Sequence, residues 1–135
     1  MKKYLFLTIL LLGYSSVFGQ DYIDDAKFDE AIHEKSAFGD DETSIIVVEF
    51  WAKFNEANAF QDWDKVKGIT HYYRVDIAKA PNIKKEYRIR MAPTIILFKG
   101  GVKEDMWKAG LDLMLPASLN DIQEAVDEVN TASKF

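Results

Sequence analysis

The chain has 135 residues, is 48% apolar and 29% charged, and carries a formal charge of −5. That length suits one domain, and the balance is that of an ordinary globular protein. The acidic surplus argues against nucleic acid, which needs a basic face. With no cysteine anywhere, disulfide staples, thiol chemistry and a lipidated cysteine are excluded.

Residues 1–19 read as a secretory signal. Lys2 and Lys3 give a basic start, Tyr4 to Leu12 an almost unbroken apolar core, and Val17-Phe18-Gly19 tolerated residues where a signal peptidase reads. Cleavage is expected before Gln20, leaving one mature domain over 20–135. The apolar segment from Tyr4 to Phe18 falls short of the roughly 20 residues of a spanning helix, so a retained anchor is the minority reading. The chain is therefore expected to be exported, periplasmic or extracellular, and of bacterial type.

Gln20 to Ile23 is short for a strand. Asp24 or Asp25 can cap a helix running to about Ser36, with Ala26, Phe28, Ala31 and Ile32 as its apolar stripe. His33 lies on that helix without a metal-ligand partner at useful spacing and reads as surface or structural. Ala37 to Thr43 is a loop whose acids, Asp40, Asp41 and Glu42, lack the alternation of a calcium site. The next strand spans about Ser44 to Trp51, and Ile45-Ile46-Val47-Val48 suits burial on both faces. Glu49 interrupts it. Burying a carboxyl is costly unless it is paired or protonated, so Glu49 is expected to be structural or to reach water, with no catalytic role.

A helix is expected from Asn55, as N-cap, to about Lys67, with Gly68 ending it and Ala59, Phe60, Trp63 and Val66 packing inward. Ile69 to Ile77 reads as a strand, with His71 one of its residues. Ala80-Pro81-Asn82 opens a short helix to about Tyr87. Thr94 to Phe98 and Val102 to Ala109 form an antiparallel pair joined at Gly100-Gly101. The apolar link from Leu111 to Pro116 either covers an end of the core or forms a hydrophobic rim. Ser118 caps a last helix with Asp121 reaching back; Leu119, Ile122, Ala125, Val126 and Val129 face the sheet, and 130–135 fray.

Three stretches, taken together, resemble the thioredoxin family. They are Glu49-Phe50-Trp51-Ala52-Lys53-Phe54, Val75-Asp76-Ile77, and Tyr87-Arg88-Ile89-Arg90-Met91-Ala92-Pro93-Thr94. The resemblance implies an α/β three-layer sandwich, a central mixed sheet of four or five strands flanked by helices, with the first edge strand possibly lost. It also implies a cis bond before Pro93, and a backbone at Ala92 that pairs with an extended segment by strand addition. Gly110 matches a glycine near that groove. One departure is decisive for the chemistry: the family's Cys-x-x-Cys falls on Asn55-Glu56-Ala57-Asn58. Dithiol exchange needs a thiolate and a resolving sulfur, and a carboxamide supplies neither.

The function that follows is a redox-inactive, thioredoxin-like exported protein that binds a protein partner or an extended peptide. Its expected contact residues are Trp51, Asn55, Asn58, Met91, Ala92 and Pro93. Decay of the site into an ordinary helix start stands equally open. The alternatives are a structural accessory subunit of a cell-envelope complex and, less favoured, an enzyme using non-thiol chemistry. No catalytic residue, metal-ligand set or cofactor is expected, nor nucleic acid as a partner, nor a membrane span after cleavage.

Overall fold

The strand Ile45–Trp51 (β2) is the middle of the molecule because both its faces are apolar. In the computed structural model, which describes residues 21–35 and 44–132, it pairs with His71–Asp76 (β3) on one side and Thr94–Lys99 (β4) on the other. Beyond β3 lies Asp21–Ile23 (β1), and beyond β4 lies Val102–Lys108 (β5), so the order is β1-β3-β2-β4-β5. β1, β3 and β2 run parallel; β4 and β5 are antiparallel to their neighbours. The first edge strand is therefore three residues long rather than lost. Gly100 and Gly101 turn the β4–β5 hairpin with φ of +56° and +81°, conformations that a glycine adopts without strain.

Alternation along β2 divides the core in two. Ile46, Val48 and Phe50 pack with Phe28 and Ile32 of Asp25–Ile32 (α1), and with Ile83 of Pro81–Glu86 (α2). Ile45 and Val47 pack with Phe60, Trp63 and Val66, and with Ile122 and Val126 of Leu119–Ala132 (α3). Asp24 caps α1 through the Lys27 N–H. Ser118 and Asp121 exchange hydrogen bonds of 3.1 and 2.9 Å at the start of α3, the reciprocal capping box. Helix α1 ends at Ile32, ahead of the expected Ser36, and His33 closes it through a 2.8 Å contact of Nδ1 with the Asp29 carbonyl. The signal segment, the loop over 37–43 and the last three residues lie outside the described residues. Among the described residues no helix is long and apolar enough to cross a membrane.

The helix expected from Asn55 to Lys67 does not form. Two 3₁₀ turns, Lys53–Asn58 and Trp63–Lys65, stand there with extended backbone at Ala59 between them. Phe60, Trp63 and Val66 recur every three residues, a spacing that suits 3₁₀ turns as well as an α-helix over so short a stretch, and all three are buried. Asn and Asp at 55, 58, 62 and 64 also favour local side-chain bonds over helix interior.

Glu49 anchors this break. It is fully buried, and its Oε2 accepts the Phe60 N–H at 2.6 Å. Its Oε1 accepts Nε and Nη2 of Arg74 at 2.9 and 2.8 Å. Glu49 and Arg74 are register partners on β2 and β3, and Tyr22 of β1 is the next residue in the row. Burial pushes the Glu49 carboxyl above its ordinary range; the Phe60 N–H and then Arg74 pull it back. The Trp63 indole N–H, buried without an acceptor in bonding geometry, adds only the weakest pull. Glu49 is thus paired rather than hydrated.

The raised Glu49 pKa means that the folded state holds this proton more tightly than the unfolded chain. Its contribution to stability is complete below the ordinary value of 4.5 and declines as pH rises through the folded value. Arg74→Ala removes the compensating cation, so urea denaturation should show a loss of about 3 kcal/mol at neutral pH that shrinks toward pH 4.5. A pH-independent loss in that range would contradict the pairing.

Candidate functional site

β2 ends at Trp51, and Phe50 lies opposite Thr94 in the register, so the turn after β2 and the loop before β4 share one end of the sheet. The Lys53–Asn58 turn is held by Asn55 N–H to the Ala52 carbonyl at 3.0 Å and Ala59 N–H to the Glu56 carbonyl at 3.1 Å. In the facing loop the Ala92–Pro93 peptide is cis. The Thr94 hydroxyl donates to the Met91 carbonyl at 2.7 Å, and the Ala109 N–H to the Pro93 carbonyl at 3.1 Å.

Asn55 and Asn58 stitch these pieces together. Asn55 Nδ2 donates to the Ala92 carbonyl at 2.7 Å and to the Leu113 carbonyl at 2.9 Å. Asn58 Nδ2 donates to Asn55 Oδ1 at 2.9 Å and to the same Leu113 carbonyl at 2.9 Å. A carboxamide nitrogen carries two hydrogens, so all four N–H groups of the pair are used. The orientation of Asn55 is dictated by its partners, since a flipped amide would set its oxygen against two carbonyls. Asn55 does not act as an N-cap, contrary to expectation: it lies inside the turn with φ −123° and ψ 25°, and its side chain reaches outward to the other segments.

The link after Gly110 is shaped to receive these bonds. The Leu113 N–H donates to the Gly110 carbonyl at 3.0 Å, and the Met114 N–H to Asp112 Oδ1 at 3.1 Å. Leu113 itself takes φ +57°, left-handed and unfavourable for a side chain with a Cβ. The link divides its tasks. Leu115 packs against the α3-side core, while Leu111 and Met114 are 91% and 55% exposed. Phe54, 77% exposed, lies on the facing turn.

Of the six residues expected at a contact surface, Asn55, Asn58 and Ala92 meet through hydrogen bonds, and Met91 and Pro93 flank Ala92. Ala92 and Pro93 are buried, and Met91 is half-buried. Trp51 faces elsewhere. Its ring meets Tyr22 edge-on at 5.8 Å and lies 5.8 Å from the Arg74 guanidinium, and it lines a groove of about 620 Å³ with Lys27, Lys53, Asp76 and Lys79. The exposed side chains at this end, Phe54, Leu111 and Met114, are absent from that expected set. The apolar run in the link signals Leu111 and Met114, and the Trp51-Ala52-Lys53-Phe54 stretch contains Phe54. Among the described residues no group of three or more His, Asp or Glu side chains is placed to hold a metal.

Asn55→Ala would leave the buried-side Ala92 carbonyl without its donor and Leu113 with one bond instead of two. The expected loss is about 2–3 kcal/mol by urea denaturation. Asn58→Ala should cost about 1 kcal/mol, because Leu113 keeps its bond from Asn55. Equal, negligible effects in both variants would show that the carboxamides hold nothing.

No family model matches the chain. Among curated proteins it is 39% identical over 44 residues to Thioredoxin-2 of Pyricularia oryzae, covering 33% of this chain and 26% of that one. It is 33% identical over 66 residues to chloroplastic Thioredoxin M4 of Arabidopsis thaliana, covering 44% and 34%. It thus spans only about a quarter and a third of those two proteins. It is 36% identical over 72 residues to the Thioredoxin of Rickettsia felis, covering 49% of this chain and 68% of that one. Among solved structures, a mutant thioredoxin from Halobacterium salinarum superposes with a TM-score of 0.59 at 12% identity, covering 82% of this chain and 90% of that one, which speaks to the fold alone. Fold and sequence agree, and the chain belongs to the thioredoxin family.

Proposed function

We propose that this chain is an exported, redox-inactive member of the family that docks a protein partner or peptide segment at the end of the sheet bearing Asn55, Asn58 and the Met91–Pro93 loop. The supporting observation is the Asn pair itself. At the positions that the resemblance gives to the two cysteines, three N–H groups close the Pro93 loop and the 111–116 link onto the Lys53–Asn58 turn, and the fourth joins the two side chains. A carboxamide is neither nucleophile nor acid nor base at neutral pH, so what the site offers is shape. Around it three large apolar side chains face solvent, Phe54, Leu111 and Met114, among exposed charged residues that include Lys53, Glu56 and Asp112.

The mode of docking differs from simple strand addition. Asn55 already occupies the Ala92 carbonyl, which takes one acceptor position that an added strand would use. Recognition then rests mainly on side chains over a rigid base, with Met91 as the half-buried neighbour. The same exposed residues would suit permanent burial in a larger assembly. Gel filtration of the native protein separates the two, since transient docking requires a free monomer.

Export is part of the proposal and rests on Lys2-Lys3 and the apolar run that follows; the mature protein should begin at Gln20 by N-terminal sequencing. Insulin reduction should stay at background. Affinity capture from envelope extract should recover one discrete protein, lost on Phe54→Asp or Leu111→Asp while circular dichroism is unchanged. Recovery of the same protein by both variants would exclude this face.

A further inference from the structure

A second groove, of about 410 Å³, opens beside the Pro93 loop. Its charged lining is Arg88, Arg90 and Lys108, its apolar lining includes Met91 and Leu111, and among the described residues no carboxylate lines it. None of the three cations makes an ion pair or side-chain hydrogen bond among the described residues. Glu86 and Asp105, close in sequence to Arg88 and Lys108, are not among its lining residues, and Asp112, beside Gly110 at its edge, accepts the Met114 N–H at 3.1 Å. In a chain of net charge −5, three cations lining one groove, with Asp112 at its edge, are a local reversal of sign.

The backbone at Arg88 adds an independent observation. Tyr87 is the C-cap of α2, and the next two N–H groups close a Schellman motif: Arg88 to the Lys85 carbonyl at 3.2 Å and Ile89 to the Lys84 carbonyl at 2.8 Å. The residue after the cap must be left-handed, and Arg88 has φ +54°. Glycine is the favoured occupant of this position, because a Cβ is strained there. This chain carries an arginine at that strained position, and its side chain lines the groove.

We infer that the groove receives a short acidic segment of a protein partner, its carboxylates on Arg88, Arg90 and Lys108 and an apolar side chain against Met91 and Leu111. This rests on the reading of the adjoining face as a docking surface and names the chemistry of what docks. Guanidinium groups bind carboxylates in a two-point fork, and a groove of this size accommodates a few side chains.

The test is fluorescence anisotropy with labelled Glu-Leu-Glu-Glu-Leu and its Gln-Leu-Gln-Gln-Leu counterpart. The acidic peptide should bind at least about tenfold more tightly, and its affinity should fall as salt rises from about 20 to about 200 mM. Arg88→Gly should weaken binding about tenfold while the melting temperature stays equal or rises, since glycine relieves the left-handed strain. Lys103→Gln, on the exposed side of β5 outside the groove, should change neither. Equal affinity for the two peptides, or Arg88→Gly binding as wild type, overturns the acidic preference and leaves docking at the apolar face standing. Binding of neither peptide overturns it as well. If the Phe54→Asp and Leu111→Asp proteins then both still capture the partner from extract, the parent reading falls too. Binding of inorganic phosphate or anionic vesicles in preference to the acidic peptide also overturns it.

Discussion

A half-buried carbonyl needs a donor, and a half-buried carboxamide needs acceptors for two hydrogens; Asn55 meets both needs in one step. Its nitrogen reaches the Ala92 carbonyl from one direction and the Leu113 carbonyl from another. Asn58 then fills the second lone pair of Leu113 and the oxygen of Asn55. Three segments distant in sequence, the 53–58 turn, the 91–93 loop and the 111–116 link, are held by a set of bonds in which no donor is left over. Partially satisfied polar networks are destabilising, whereas complete ones specify a single arrangement. The left-handed backbone of Leu113 is intelligible in this light, because it turns the link so that one carbonyl faces both side chains.

Beneath this lies a second polar element with a different task. Glu49 sits at a position of β2 that alternation would make apolar, and it is tolerated because Phe60 and Arg74 meet both its oxygens. Its bond to the Phe60 N–H takes that group away from any helical partner. The buried acid and the missing helix are therefore two sides of one arrangement. The chain after Asn58 turns extended at Ala59, and Phe60, Trp63 and Val66 reach the core from the segment around the Trp63–Lys65 turn. Arg74 in turn lies against both Tyr22 and Trp51, which also meet each other, and this carries the row of contacts out to the short edge strand.

Much of the fold is legible in the sequence. The run of β-branched residues in β2, the double glycine of the hairpin, Pro81 at the start of α2 and the Ser118–Asp121 box each follow from local chemistry, and each is found in place. What fails to be legible depends on long-range partners. The period-three spacing of Phe60, Trp63 and Val66 is compatible with either helix type over so short a stretch, and only the Glu49 bond decides. Residues 21–23 are too few to signal a strand alone; β3 supplies the register. At the candidate site, the identity of the two asparagines shows what chemistry is absent. That they bind the carbonyls of Ala92 and Leu113 depends on residues 37 and 58 positions away in sequence, which no local pattern reveals. The basic groove is likewise assembled from the end of α2 and the end of β5, whose cations look scattered in the linear chain.

The most direct test of this account is amide exchange at the side chains of Asn55 and Asn58, followed by nitrogen-edited NMR. If both carboxamides are fully engaged, their four protons should exchange much more slowly than those of the exposed Asn82 and Asn120, by about tenfold or more. Exchange at the rate of those exposed side chains would mean that the three segments are not fastened through this pair, and the account of the site would fall with it.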